Sequence, residues 1–129
     1  MSWQSYVDTT LIGSKKLDAA AIFSATGDSV WAASNFKIEP AEMQALIAAY
    51  QSQDKMNELA STGFHIDGTK YFTIKSEDRS IYGKQLKTGI ICVKTKQAIL
   101  VAHFPDTVQP GEAASVVEKL ADYLIDVGF

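Results

Sequence analysis

Aromatic side chains are concentrated near both ends of the 129-residue chain, with one tryptophan between them. Trp3 and Tyr6 are three residues apart, so a helix would present both rings on one face. Flat rings stack on the prolines of a polyproline II helix, and indole N–H and phenol O–H groups donate hydrogen bonds to its exposed carbonyl groups. The residues that could form such a groove are Trp3, Tyr6, Trp31, Tyr123 and Phe129. The alternative interpretation is that these rings pack terminal helices onto a sheet.

Positive charge is concentrated between residues 70 and 96, where seven basic residues stand against two acidic ones, a local balance of +5 in a chain of net charge −3. A basic face on an acidic protein indicates an acidic protein surface or anionic lipid headgroups as the partner. The alternative is an ordinary solvated sheet surface. Overall acidity and the presence of only one arginine, Arg79, argue against nucleic-acid binding.

The chain lacks the residue patterns of a catalytic or metal-binding site. The two histidines, His65 and His103, and the single Cys92 do not have the spacing of metal ligands. His103 alternates with Ile99 and Val101, which is typical of a residue in a sheet. No nucleophile elbow, P-loop or dinucleotide-binding motif is present. We therefore expect no enzymatic activity, no metal ion and no cofactor.

Composition predicts one soluble domain over residues 1–129, with 47% apolar and 21% charged residues. The single Cys92 cannot form an internal disulfide, which favours a reduced, cytosolic location. No apolar run reaches the roughly 20 residues of a membrane span, and no signal-peptide pattern is evident at the N-terminus. Nothing in the sequence requires more than a monomer.

Local patterns predict the order of the secondary-structure elements. A short helix over residues 2–12, with Ser2 as its N-cap, precedes strands 19–25 and 29–34, which are joined by a turn at Thr26-Gly27-Asp28. Glu39-Pro40 opens a helix, and residues 52–61 are polar and predicted to be loop. Asp67-Gly68 is a hairpin signal between strands 64–66 and 71–74. Strands follow near 80–84, 89–95 and 97–104, and Pro110 begins the last helix. This order predicts an α+β fold with a mostly antiparallel sheet and helices on its faces.

Four segments, in the same order along the whole chain, resemble those of one known family. The chain opens with Ser2-Trp3-Gln4-Ser5-Tyr6-Val7-Asp8, and Ser29-Val30-Trp31-Ala32 follows in the second predicted strand. The later segments are Asp78-Arg79-Ser80-Ile81-Tyr82-Gly83-Lys84 and the closing stretch from Gly111 to Ile125. On these segments the chain resembles the profilins, most closely their fungal and plant branches.

The resemblance implies a fold in which the N- and C-terminal helices pack on one face of the sheet and shorter helices on the other. It also implies a function, because profilins bind monomeric actin, bind proline-rich segments of proteins such as formins, and bind phosphoinositides. A profilin regulates actin polymerisation in the cytoplasm and cytoskeleton. The resemblance further implies that the five aromatic residues form the proline-binding groove. Tyr123 stands where animal profilins have histidine, and Phe129 stands where many members have tyrosine.

The remaining site residues are also implied by the resemblance. The expected actin-binding residues are Lys70, Thr73, Lys75, Lys84, Lys87, Val108, Gln109, Gly111, Ala114, Ser115, Glu118 and Lys119. The expected phosphoinositide-binding residues are Lys70, Lys75, Arg79, Lys84 and Lys87, and their overlap with the first set predicts competition between lipid and actin. The alternative function is a module that binds proline-rich peptide without binding actin. Charge reversal at Lys84 or Lys87 would distinguish the two functions.

Overall fold

Seven strands form a single antiparallel sheet in the computed structural model, which describes residues 2–27, 29–77 and 79–129. The strands are β1 (Ala19–Ser24), β2 (Val30–Ser34), β3 (Phe64–Ile66), β4 (Thr69–Ser76), β5 (Ser80–Gln85), β6 (Thr88–Lys94) and β7 (Ala98–Phe104). They lie in the order β2-β1-β7-β6-β5-β4-β3. Asp28 of the predicted turn and Asp78 of the third family-like segment lie outside the described residues.

The N-terminal helical segment changes its winding along its length. It begins as α1 (Trp3–Ser5), continues as a π-helix (Tyr6–Leu11) and ends as a 3₁₀ turn (Ile12–Ser14). The predicted N-cap is confirmed, since the hydroxyl of Ser2 accepts a hydrogen bond from the Ser5 N–H at 3.1 Å. Lys15 follows with φ of 65°, a left-handed conformation that ends the segment.

Two short helices cover one face of the sheet. Helix α2 (Pro40–Gln51) begins at the predicted proline, and its Glu42 carboxylate accepts the N–H of Glu39 at 2.9 Å. The same carboxylate accepts the N–H groups of Asp67 and Gly68 at 2.8 Å each, which attaches the β3–β4 turn to the helix. That turn is the predicted Asp67-Gly68 hairpin, with positive φ at both residues.

The loop predicted over residues 52–61 is wrong, because the structure has a helix there, α3 (Gln53–Thr62). The Ser52 hydroxyl caps its first turn by accepting the Lys55 N–H. Only Met56 and Leu59 are buried, so the apolar stripe is two residues wide and the remaining side chains face solvent. Gly63, at φ of 81°, ends the helix.

Helix α4 (Pro110–Asp126) lies on the opposite face, beside the N-terminal helical segment. Val7 and Leu11 of that segment share a core with Val117, Leu120 and Leu124 of α4. A second core lies between α2, α3 and the other side of the sheet.

The central strands are buried on both faces, as their continuous apolar runs predicted. In β6, Ile91 and Val93 point into the core beneath α4, whereas Ile90 and Cys92 point into the core beneath α2. The predicted α+β architecture, with terminal helices on one face and shorter helices on the other, is confirmed. In the part of the chain that is described, no helix is long and apolar enough to cross a bilayer.

Candidate functional site

The five predicted aromatic residues come together at one end of the molecule and are called the aromatic groove below. The Trp3 ring lies at its centre, with ring centroids 4.6 Å from Trp31, 5.1 Å from Phe129 and 5.6 Å from Tyr6. Tyr123 joins the group through Tyr6, at 6.1 Å between centroids. Each of the five rings keeps part of its surface in solvent. The groove therefore combines ring-to-ring support with accessible faces, which is what stacking on a ligand requires.

Polar contacts fix the N-terminal side of the groove. The Gln4 side-chain amide donates to the Ala33 carbonyl oxygen at 3.2 Å and to the Ser34 hydroxyl at 2.9 Å, both on β2. Because Gln4 follows Trp3 and Ala33 lies two residues beyond Trp31, these bonds hold the helix against the strand that carries the second tryptophan.

The C-terminal side of the groove is held by the turn between β6 and β7. The Thr95 hydroxyl donates to the main-chain oxygen of Phe129 at 2.7 Å, and the Gln97 side-chain amide donates to the Gly128 carbonyl oxygen at 2.9 Å. The Phe129 N–H in turn donates to the Leu124 carbonyl oxygen at 2.7 Å. These bonds order the last residues and place the Phe129 ring edge-on to Trp3.

The hydroxyls of Tyr6 and Tyr123 interact at one end of the groove. The hydrogen bond with Tyr123, together with partial burial, raises the pKa of Tyr6 above its ordinary value. A phenol has a single O–H donor, so one hydroxyl of the pair donates to the other, and the second hydroxyl can donate a hydrogen bond to a ligand carbonyl group.

A second surface lies on the outer strands β4 and β5, on the same face of the sheet as α4. We call it the sheet strip and define it as Lys70, Phe72, Lys75 and Lys84. Phe72 pairs with Lys84 in the strand register, and the Lys70 ammonium lies 5.8 Å from the centre of the Phe72 ring. The Lys75 ammonium lies 5.0 Å from the ring of Tyr82. Lys87 is exposed in the turn beyond β5.

Thr73 does not lie with these lysines. A β-bulge between Thr73 and Lys75 interrupts the alternation of β4, so the two side chains point to opposite faces. The Thr73 hydroxyl donates to the Leu59 carbonyl oxygen of α3 at 2.8 Å. Thr73 is therefore part of the contact between β4 and α3, on the other side of the sheet.

The middle of α4 borders the sheet strip through Glu118. The Glu118 carboxylate accepts hydrogen bonds from Arg79 at 2.7 Å, from the Ser80 hydroxyl at 2.7 Å and from the Tyr82 hydroxyl. Burial opposes the charge on Glu118, but these three donors outweigh it and lower its pKa. Glu118 thus attaches α4 to β5.

Arg79 is engaged by two carboxylates, so its charge is largely offset. Its second guanidinium nitrogen lies 2.9 Å from Asp122, in addition to the bond to Glu118.

Several residues that lead into α4 or form its first turns are accessible at the surface. Gln109, Gly111 and Ser115 are exposed, and Val108 and Ala114 are half-buried. Lys119 is also exposed.

The residues considered for catalysis or metal binding are separate from one another. His103 pairs with Asp18, with its Nδ1 2.5 Å from the carboxylate, at the far end of β7. Cys92 is fully buried in β6, and burial raises the pKa of its thiol. Among the described residues, no three His, Cys, Asp or Glu side chains are grouped as a metal ion would require.

Comparison with known proteins gives a consistent result. The family model described as Profilin matches residues 1–129. The profilin of Schizosaccharomyces pombe is 56% identical, with all of both chains covered. The chain belongs to the profilin family. Its members are non-enzymatic proteins known for binding actin and poly-proline.

Solved profilin structures agree with this fold. A crystal structure of S. pombe profilin superposes with a TM-score of 0.94 at 55% identity, covering 99% of this chain and 100% of the other. The fold also matches mouse profilin IIa, solved in complex with a double repeat from the FH1 domain of mDia1, with a TM-score of 0.80 at 22% identity and full coverage of both chains.

Three exposed apolar residues in or near the sheet strip were not singled out from the sequence. Phe72 is 67% exposed, Leu86 is 85% exposed, and Ile74 projects from the bulged region of β4. Strand alternation could have identified Phe72, because its neighbour Tyr71 is buried in the core. Leu86 lies in a turn, where periodicity carries no signal.

Proposed function

We propose that this profilin binds proline-rich segments, such as those of formins, through the aromatic groove. The observation that carries the proposal is the environment of Trp3, which contacts three other rings yet remains partly open to solvent. A ring that served only to pack the terminal helices would be expected to be covered. Exposed indole and phenol groups match the proline rings and carbonyl oxygens of a polyproline II helix.

Intrinsic tryptophan fluorescence during titration with poly-L-proline tests this assignment. We expect a saturable change in the wild-type protein and its loss in Trp3→Ala, because the central ring is removed. Phe72→Ala is the matched control, since it also deletes an exposed aromatic ring but lies on the sheet strip. Binding retained by Trp3→Ala, with the fold verified by circular dichroism, would contradict the assignment.

We also propose that monomeric actin binds the sheet strip together with Lys87 and the start of α4. Exposed apolar side chains among lysines support this proposal, because interfaces combine an apolar centre with a charged rim. The lysines would steer an acidic partner to the surface. The residues proposed to contribute from α4 and the segment leading into it are Val108, Gln109, Gly111, Ala114, Ser115, Glu118 and Lys119. Thr73 would act only indirectly, by holding β4 against α3.

Charge reversal tests the actin proposal. Lys84→Glu is expected to weaken binding to monomeric actin by about ten-fold or more, measured as loss of inhibition of spontaneous polymerisation. Lys37→Glu, an exposed lysine outside both surfaces, is the matched control. Undiminished actin binding by Lys84→Glu would contradict the sheet strip as the actin site. Absence of actin binding by the wild-type protein would favour the alternative, a module that binds proline-rich peptide alone.

We further propose that phosphatidylinositol bisphosphate at the membrane surface binds the same basic region. Lys70, Lys75, Lys84 and Lys87 would each contribute about 1 kcal/mol near an anionic surface. Arg79 would contribute least, since Glu118 and Asp122 already pair with it. Co-sedimentation with vesicles containing this lipid should fall for the double charge reversal at Lys84 and Lys87, and actin should displace the vesicles. Unchanged sedimentation would contradict the proposal. A cytoplasmic, cytoskeletal location follows from these partners.

A further inference from the structure

An apolar cleft continues the aromatic groove toward the middle of α4. It has a volume of about 560 Å³ and lies between the N-terminal helical segment and α4. Tyr6 and Tyr123 form one end of it, so they line both the groove and the cleft. The other walls are Thr10 and Ser14 on one side and Val116, Leu120 and Lys119 on the other. A ligand in the groove could therefore run into the cleft without leaving the protein surface.

The length of the cleft corresponds to a short extension of such a ligand. Tyr123 and Val116 are seven residues apart on α4, which is about 10 Å along a helix that rises 1.5 Å per residue. A polyproline II chain advances about 3.1 Å per residue, so about three residues would span that distance.

The chemistry of the lining indicates the kind of residues that would occupy it. The walls formed by Val116, Leu120 and the two tyrosine rings are apolar, and they suit a branched aliphatic side chain. Lys119 is the single charged residue of the lining. Within the described part of the chain, its exposed ammonium forms no ion pair. An acidic side chain at the end of the extension would meet this free cation.

We propose that the cleft binds the residues flanking a proline-rich segment, an aliphatic residue followed by an acidic one, about three positions beyond Tyr6 and Tyr123. The inference rests on the proposed function of the aromatic groove. It adds a source of discrimination among proline-rich partners, because stacking alone treats all proline runs alike, whereas the cleft selects by the sequence next to the run.

Synthetic peptides test the inference by titration calorimetry. The first peptide is decaproline. Two others carry an extension, either Pro-Leu-Glu after the last proline or the mirror order Glu-Leu-Pro before the first. Matched peptides replace the Glu by Gln or the whole extension by Gly-Ser-Gly. Both ends are tested because a polyproline II helix can enter a groove in either direction. We expect one Leu-Glu extension to bind about ten-fold more tightly than its Gly-Ser-Gly counterpart, and about three-fold more tightly than its Gln counterpart.

Lys119→Glu should remove or reverse the preference for Glu over Gln, while Lys37→Glu, its matched control, should preserve it. Val116→Asp should abolish the gain from leucine. Two results would overturn the inference: a preference for Glu that persists in Lys119→Glu, or no gain in affinity from either extension. If decaproline still binds, the assignment of the aromatic groove is unaffected by these results. Absence of decaproline binding would overturn both.

Discussion

The Phe129 ring is held by contact with Trp3 and by the hydrogen bond from the Thr95 hydroxyl to the Phe129 main-chain oxygen, and 38% of the residue is exposed. A hydroxyl on that ring would add a donor to the aromatic groove without the cost of ordering a new side chain. We predict that Phe129→Tyr raises affinity for poly-L-proline about five-fold, corresponding to about 1 kcal/mol for one hydrogen bond. Titration calorimetry measures the change.

Phe129→Leu supplies the comparison for that substitution, because it retains an apolar side chain but removes the ring. It should bind more weakly than the wild-type protein. Equal affinity of the tyrosine variant and the wild-type protein would mean that the ring supports Trp3 without contacting ligand carbonyl groups.

Tyrosine rather than histidine at position 123 predicts that ligand binding in the groove is insensitive to pH in the physiological range. The pKa of Tyr6 is raised by its hydrogen bond with Tyr123, so its neutral form persists to a higher pH than that of a free phenol. We predict constant affinity for poly-L-proline from pH 5.5 to 8.5. Tyr123→His should introduce a pH dependence centred near the ordinary histidine pKa of about 6.5. The affinity of both proteins across this range, measured by fluorescence titration, provides the check, and a pH-independent histidine variant would contradict it.

At the scale of elements, the attachment of α4 to β5 depends on Glu118. Because its pKa is lowered in the folded protein, Glu118 stabilises the fold above the ordinary glutamate pKa of about 4.3, and this stabilisation is lost as the pH falls through the lower, folded-state value. We predict that Glu118→Gln lowers the free energy of unfolding by about 1–3 kcal/mol at pH 7. The difference should shrink at pH 3.

Urea unfolding at the two pH values measures that difference. Glu58→Gln is the matched control, because the Glu58 carboxylate pairs with Lys55 at 3.4 Å in an exposed position, and its change should remain within about 0.5 kcal/mol. A difference for Glu118→Gln that stays constant from pH 7 to pH 3 would exclude the proposed ionic origin.

Helix α3 shows when the spacing of apolar residues fails to predict a helix. Strongly periodic segments such as α4 were predictable, because Val117, Leu120 and Leu124 form a stripe that only a helix can bury together. In α3 only Met56 and Leu59 are buried, and two residues do not define a period. The Ser52 cap was a local signal for this helix, although polar side chains around it are equally common in loops.

The positions of site residues were predictable to different degrees for a similar reason. The helical spacing of Trp3 and Tyr6 places them together from local geometry alone. The face occupied by Thr73 depends on an extra residue in β4, and no periodic pattern marks a bulge. The pairing of Arg79 with Glu118 joins positions 39 residues apart, which only the folded chain brings together.

At the scale of the whole molecule, the two tryptophans of the aromatic groove lie far from the sheet strip across the sheet. Trp31 is on β2 and Lys84 is on β5, four strand positions away, or about 19 Å at the usual strand spacing. We predict that decaproline and monomeric actin bind at the same time, with each changing the affinity of the other by less than about two-fold. Fluorescence anisotropy of labelled decaproline with and without saturating actin measures this coupling.

Reciprocal variants make that experiment decisive. Trp3→Ala should lose peptide binding and keep actin binding, whereas Lys84→Glu should do the reverse. Displacement of the peptide by actin would show instead that the two ligands share surface.

The burial of Cys92 makes its thiol slow to react with alkylating reagents. Alkylating reagents attack the thiolate, and this thiol is enclosed by the second core with its pKa raised. A maleimide dye should therefore label a cysteine introduced at Lys37 in the native protein without prior removal of Cys92. The slow rate at which Cys92 itself is modified would then report how often the whole sheet opens. The same measurement would compare the frequency of opening in every variant described above.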